Sequence, residues 1–198
     1  MSKISASFYT QTDVVLLAKN LLGSLLITQI DGKKTVGMIT ETEAYAGAFD
    51  KACHAHRMKR SKKCSVMYEK GGVAYVYLCY GIHHLFNVVT NQKNVPEAVL
   101  IRAVYPLLGI DAMLNRRKKR TTKNLVNGPG KLCQAFGIDL KQNGSSLVKN
   151  TIWIEHKYQI KEEHIQITPR IGIDYAEEDA LLPYRFFLPE KLQKRYVS

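Results

Sequence analysis

The chain has 198 residues, of which 45% are hydrophobic and 23% are charged, and its 29 Lys and Arg outweigh 17 Asp and Glu to give a formal net charge of +12. This composition is ordinary for a globular protein, and no apolar run approaches the roughly 20 residues of a membrane-spanning helix, which argues against a membrane protein. The length fits a single domain over residues 1–198, and the basic balance indicates a polyanionic partner, with nucleic acid as the leading candidate.

The N-terminal residues and the cysteines indicate the compartment. Residues 1–9 lack the apolar segment of a secretory signal, which predicts a cytoplasmic protein with reduced thiols. The four cysteines show no Cys-x-x-Cys spacing and therefore predict neither a disulfide framework nor a zinc ribbon. A weaker interpretation gathers four ligands around zinc, but their spacing matches no common pattern, so we expect no metal and no cofactor; these ligands would be Cys53, His54, His56 and Cys64.

The first predicted elements are a helix and a hairpin. Asp13 is a suitable N-cap for a helix over residues 14–22, which Gly23 would end. Two strands follow at residues 25–30 and 34–45, and the Asp31-Gly32 pair between them is a strong hairpin signal.

The second strand carries Glu41-Thr-Glu-Ala-Tyr45 near its end. Because successive strand side chains point to opposite faces, Glu41, Glu43 and Tyr45 should project together. The residues alone leave open whether this carboxylate pair binds a metal or performs acid–base chemistry.

A second hairpin is predicted from strands at residues 73–79 and 85–90, with Tyr80 at its turn. Tyr75 and Tyr77 should share one face of the first strand, where one ring can line a pocket, while Tyr80 projects from the tip. Aromatic rings stack on bases, and a wedge at a hairpin tip can hold a duplex open, although ordinary sheet packing explains the same residues.

The remaining pattern adds a strand at residues 99–104, helices at 111–119 and 131–136, and strands at 152–155, 165–173 and 184–188. Strands mostly follow strands, which favours an α+β fold over alternating βαβ units. We expect a single domain with a curved, antiparallel-rich sheet, surrounding helices and a protruding β-hairpin.

Two basic runs concentrate the positive charge, at residues 57–63 and 116–120 with Lys123. Both are placed to bracket a phosphate backbone, although a solvated loop and a basic helix end would also account for them. The glycine turn at residues 127–131 lacks the first glycine and the Ser or Thr of a nucleotide-binding loop, so it predicts at most contact with a single phosphate.

Seven short blocks occur in order along nearly the whole chain: Glu41-Thr-Glu-Ala-Tyr45, His54, Tyr75-Val-Tyr-Leu-Cys-Tyr-Gly81, Asn87, Val99-Leu-Ile-Arg102-Ala103, Asn127-Gly-Pro-Gly-Lys-Leu-Cys133 and Arg170-Ile-Gly-Ile173. In this order and spacing the chain resembles the alkyladenine type of 3-methyladenine DNA glycosylase. That family removes alkylated or deaminated purines from DNA. The resemblance implies double-stranded DNA with damaged purines as the partner, and a monomer.

The resemblance also implies residue roles. Glu43 matches the catalytic base that activates water, Arg102 would order that water, and Glu41 would be supporting or structural. The flipped base would be enclosed by Tyr45, His54, Tyr77 and Asn87. As in the family, the products would be a free base and an abasic site, without a covalent intermediate.

Contacts with DNA follow from the same resemblance and from the basic runs. Tyr80 matches the residue that enters the minor groove and fills the gap left by the flipped nucleotide. His83 departs from the pattern, because a relative carries an aromatic residue there. Backbone contacts are expected from Arg57, Lys59, Arg60, Lys131 and Arg170.

Two other classes remain open. In a nuclease, Glu41 and Glu43 would coordinate Mg²⁺ while the basic runs hold the nucleic acid, and a chelator would then abolish activity. A noncatalytic RNA-binding module would use the basic runs and tyrosines, but it leaves the two strand glutamates unexplained.

Overall fold

A computed structural model of the protein describes residues 2–198. Its eight strands form one sheet in which every pairing is antiparallel. The strands are β1 (Leu25–Ile30), β2 (Lys33–Tyr45), β3 (Ala74–Cys79), β4 (His83–Thr90), β5 (Glu97–Leu108), β6 (Ile152–Glu155), β7 (Gln166–Thr168) and β8 (Arg185–Phe187). The α-helices are α1 (Ala6–Tyr9), α2 (Val14–Asn20), α3 (Ile110–Arg117), α4 (Pro129–Phe136) and α5 (Glu190–Val197).

The long strand β2 is the point at which the sheet branches. The main order is β3-β4-β5-β2-β1-β6, and β7 and β8 continue from the other part of β2. Residues 33–38 of β2 pair with β1, whereas residues 41–43 pair with β8. Register shifts against β5 on both sides of Glu41 bend the strand where it leaves one neighbour for the other. The predicted α+β fold with a curved antiparallel sheet is confirmed.

Apolar side chains cover the sheet on both faces. The main core joins α2, α4 and the sheet through side chains that are at most 1% exposed, such as Leu17, Ile39, Phe86 and Phe136. A smaller cluster on other strand residues, including Met38 and Trp153, receives the side chains of α5. Because β2 and β5 lie at the centre of the sheet, residues on them are held by neighbours on every side.

Most predicted elements are present. Asp31 and Gly32 have φ angles of 52° and 69°, which suits the tight turn of the β1–β2 hairpin. Asp13 caps α2 by accepting a hydrogen bond from the backbone N–H of Leu16, and α4 ends at Gly137 in the left-handed conformation.

The predicted strand at residues 165–173 is wrong for most of its length. Only Gln166–Thr168 form a strand, because Pro169 has no N–H to donate and Gly172 turns the backbone with φ 75°. Helix α5 was missed, because most of its residues are polar and its apolar face consists of only a few side chains, Leu192, Tyr196 and Val197. Within residues 2–198 no helix is both long enough and apolar enough to cross a membrane.

Candidate active site

A cavity of about 720 Å³ opens between the β3–β4 hairpin, the start of α4 and the loop that follows β7. Its lining includes the predicted base-pocket residues Tyr45, His54, Tyr77 and Asn87, and also Arg102, Tyr80 and Lys131. The cavity thus brings together residues that are far apart in the chain, from Tyr45 to Tyr175.

Glu43 lies behind the cavity wall with none of its surface exposed. Its Oε1 accepts a hydrogen bond from the backbone N–H of Ile171 over 2.9 Å. Its Oε2 accepts one from the hydroxyl of Tyr45, also over 2.9 Å. Both carboxylate oxygens are thus held in place by partners that come from β2 itself and from the loop after β7.

The environment of Glu43 acts on its pKa in two directions. Burial raises the pKa above the ordinary glutamate value, while Arg102, the Ile171 N–H and the Tyr45 hydroxyl oppose that rise. The burial effect is the largest of these. A carboxylate with a raised pKa and a fixed orientation is suited to accept a proton from water.

Glu41 and Glu43 do share one strand face, and Arg102 links them. Its Nε donates to Glu41 Oε1 over 2.9 Å, and its Nη1 lies 3.3 Å from Glu43 Oε1. Arg185 also donates to Glu41 Oε1, over 2.7 Å. Glu41 therefore pairs with two guanidinium groups.

This ion-pair arrangement disagrees with the magnesium hypothesis. Both arginines contact Glu41 Oε1, and their positive charges oppose the binding of a cation beside it. In the part of the chain that the structure describes, no group of three or more His, Cys, Asp or Glu is arranged to hold a metal ion.

The aromatic wall of the cavity is built from β3 and the loop before it. Tyr75 and Tyr77 share a face, as strand alternation predicts, with ring centroids 5.3 Å apart. His54 meets Tyr77 edge-on at 4.6 Å, and its Nδ1 lies 2.8 Å from the Tyr75 hydroxyl. Burial, followed by the charges of Lys63 and Lys59, lowers the pKa of His54 to about 4. His54 is therefore neutral near pH 7.

Asn87 lies on β4 directly opposite Tyr75 and is 4% exposed. Its Nδ2 donates to the backbone oxygen of Tyr75 over 3.1 Å. This bond fixes the plane of an amide that lines the cavity.

Tyr80 stands at the tip of the β3–β4 hairpin and is 88% exposed, next to Ile82 at 72%. The turn is shorter than predicted, because His83 already pairs with Cys79. His83 packs against the first turn of α4: a Cβ built on Gly130 would lie 2.9 Å from its ring. The tip of the hairpin is thus exposed, whereas its lower part packs against α4.

The basic residues predicted to contact phosphates divide into two groups. Arg57, Lys59 and Arg60 are exposed on the segment after His54, and Lys131 lies at the cavity mouth on α4. Arg60 already stacks over Tyr68, 4.1 Å from its ring centroid, and donates to Asn94.

Arg170 does not belong with them, and its prediction as a backbone contact is wrong. Its side chain is fully buried and donates to both carboxylate oxygens of Asp50, over 2.5 and 2.9 Å. It also donates to the backbone oxygens of Ala44 and Asp179. Arg170 therefore fixes the loop in which its neighbour Ile171 donates to Glu43.

Several parts of this site were not predicted from the sequence. They are the Ile171 N–H, the Arg185 partner of Glu41, the Asp50 partner of Arg170, and the lining residues Lys63, Arg117 and Tyr175. The two basic runs include Lys63 and Arg117, but the sequence did not place either residue in the pocket. The other contacts join distant segments, and no local pattern signals them.

These features define a class of protein. A buried, oriented carboxylate next to an aromatic cavity, with an exposed aromatic tip and basic residues at its mouth, is suited to an enzyme that acts on a base of a nucleic acid.

Comparison with known proteins specifies the family. The Methylpurine-DNA glycosylase (MPG) family profile matches residues 7–192, so the chain belongs to that family. Relatives carrying the name "Putative 3-methyladenine DNA glycosylase" occur in several bacteria. One from Chlamydia felis is 51% identical over 191 residues, which cover 96% of this chain and 97% of the relative.

Two further relatives with the same name come from other lineages. One from Bacillus cereus is 47% identical over 193 residues, covering 91% of this chain and 93% of the relative. One from Natranaerobius thermophilus is 42% identical over 189 residues, covering 94% and 95%. The family membership supports DNA as the substrate and DNA repair as the process.

Proposed function

We propose that the protein is a monofunctional DNA glycosylase that hydrolyses the N-glycosidic bond of alkylated or deaminated purines flipped out of duplex DNA. The substrates would be 3-methyladenine and 7-methylguanine, with hypoxanthine and ethenoadenine as neutral members of the same class. The observation that carries the proposal is the buried Glu43 carboxylate, oriented by Tyr45 and the Ile171 N–H beside the aromatic cavity.

Glu43 would act as the general base. Breaking the bond between sugar and base builds positive charge on the sugar, which a nearby carboxylate stabilises. The same carboxylate takes a proton from the attacking water, whose oxygen bonds to the sugar carbon as the purine leaves. Arg102 would keep Glu43 ionised and order the water, while Glu41 holds Arg102 in position.

Tyr45, Tyr77 and His54 would enclose the base. A cationic methylpurine is attracted to aromatic faces and already has a weakened bond to the sugar, so stacking suffices for it. A neutral base needs hydrogen bonds as well. Neutral His54 and the fixed amide of Asn87 are the groups available for them, and Asn87 would meet the exocyclic amino group that separates guanine from hypoxanthine.

Tyr80 would fill the space that the flipped nucleotide leaves in the duplex. Its exposed ring at the hairpin tip and the basic residues around the mouth of the cavity support this orientation of the DNA. Arg57, Lys59, Arg60 and Lys131 would contact the backbone.

The test is release of free base. Purified protein should liberate 3-methyladenine from methylated duplex DNA in the presence of EDTA, and strand breaks should form only after alkali treatment. Borohydride should trap no protein–DNA adduct. EDTA-sensitive strand cleavage would instead identify a nuclease, and a trapped adduct would identify a lysine nucleophile.

We also propose that residues 1–198 act as one domain, as a monomer in the cytoplasm. The four cysteines are unbonded, which suits a reducing compartment. Sedimentation at several concentrations tests the monomer, since self-association would raise the apparent mass as the concentration increases.

A further inference from the structure

Lys63 brings a positive charge into the wall of the base pocket. It lies in the exposed basic run after His54, yet it lines the same cavity as Tyr45 and Tyr77. Its Nζ stands 4.7 Å from the centroid of the Tyr77 ring. At this distance the ammonium interacts with the negative face of the ring.

The charge of Lys63 is not compensated by an acidic partner. Among the salt bridges of residues 2–198 none involves Lys63. Arg102, which also lines the cavity, is by contrast paired with both Glu41 and Glu43. The field of Lys63 reaches the neighbouring imidazole, because after burial it is the largest effect that lowers the pKa of His54.

An ammonium over Tyr77 affects cationic and neutral bases differently. A cationic methylpurine is drawn to the same ring and repelled by the same ammonium, so it must compete with Lys63 or displace it. A neutral purine such as hypoxanthine stacks on the ring without that repulsion.

We propose that Lys63 is a selectivity residue of this pocket, which shifts its preference from cationic purines toward neutral ones. This inference rests on the proposed function. According to this inference, the side chain of Lys63 sets the relative excision rates of two substrate groups. Cationic purines leave the sugar readily because they are charged, whereas neutral purines depend on recognition by the pocket.

The experiment compares two lesions in the same duplex sequence, 7-methylguanine as the cation and hypoxanthine as the neutral base. The ratio of their kcat/KM values removes the loss of general DNA affinity that follows from deleting any positive charge. In Lys63→Gln the ratio should move toward 7-methylguanine, on the order of three- to tenfold. Lys63→Arg should keep the original ratio.

Lys62→Gln is the matched control. It removes the adjacent charge from the same exposed run, but Lys62 does not line the cavity. Its ratio should equal that of the wild type. An unchanged ratio in Lys63→Gln, or an equal shift in both variants, would overturn the inference.

A second measurement does not depend on catalysis. NMR titration of His54 in the free protein should give a higher pKa in Lys63→Gln than in the wild type, and no change in Lys62→Gln. An unchanged His54 titration in Lys63→Gln would place the ammonium away from the pocket and contradict the inference. If wild-type protein released neither base but His54 shifted as expected, the proposed function would fail while the placement of Lys63 stood.

Discussion

The backbone N–H of Ile171 donates to Oε1 of Glu43 across a sequence separation of 128 residues. The Glu43 carboxylate is thus oriented by a loop near the far end of the chain, and that loop is held by the buried Arg170 next to Ile171. Orientation of Glu43 and stability of the loop are therefore linked.

Glu43→Gln should bind a lesion-containing duplex as the wild type does, while excision falls by about two to four orders of magnitude. The amide oxygen can accept from Ile171 and its nitrogen can donate to the Tyr45 hydroxyl, so the local geometry is kept. The amide cannot take a proton from water. Single-turnover base release and duplex affinity measure the two effects, with the exposed Glu163→Gln as control. Normal excision by Glu43→Gln would refute its role.

Tyr80→Ala should weaken capture of the flipped base by about 1–3 kcal/mol, with less effect on undamaged DNA. The expected loss of affinity comes from the aromatic ring and not from its hydroxyl, so Tyr80→Phe should behave like the wild type. Affinities for paired lesion and undamaged duplexes give the comparison. Equal affinities for Tyr80→Ala and Tyr80→Phe on the lesion duplex would exclude a wedge.

Stability should rise with pH between about 4 and 6.5 because of His54. Its pKa is lowered to about 4 in the folded protein, while the unfolded chain titrates near 6.5. Within this window the unfolded state binds more protons, so acidification favours unfolding. Urea titrations at several pH values should show a shallower dependence for His54→Gln, and parallel curves for the two proteins would contradict the assignment.

Asp50→Asn should lower the free energy of unfolding by about 3–5 kcal/mol, because it leaves the buried Arg170 guanidinium without its counter-charge. The salt dependence of DNA binding should stay as in the wild type, measured at a temperature where the variant is folded. Replacing the arginine itself, in Arg170→Met, should likewise leave the salt slope unchanged, and a slope reduced by about one in that variant would return Arg170 to the DNA contacts.

Lys59→Gln should change the salt dependence of DNA binding and leave the free energy of unfolding almost unchanged, the reverse of Asp50→Asn. Removing one interaction with a phosphate should reduce the slope of log K against log salt by about one, with little change in stability, because the side chain is exposed. Lys191→Gln, an exposed change on α5, serves as the control for loss of charge alone. Equal slopes for the two variants would argue against a specific backbone contact at Lys59.

Local patterns predicted much of this molecule. The strand alternation that groups Glu41, Glu43 and Tyr45, the Asp31-Gly32 turn and the Gly137 helix end depend on neighbouring residues, and each is present. Arg170 shows the limit of such reasoning. A basic residue within a family motif resembles a phosphate contact, and only the folded arrangement brings Asp50 to it. The branching of β2 and the partner of Glu41 depend on the fold in the same way.

The close contact between His83 and Gly130 packs the lower part of the hairpin against helix α4, since any side chain at Gly130 would push the two apart. A hairpin that is packed against a helix should deform less when its tip is pushed than one that projects freely into solvent. If Tyr80 inserts into a duplex, we therefore expect the DNA to deform more than the hairpin. The base stacking of DNA is disturbed most easily where a damaged base is already weakly stacked or paired. The stiffness of this joint would then contribute to the search for damage.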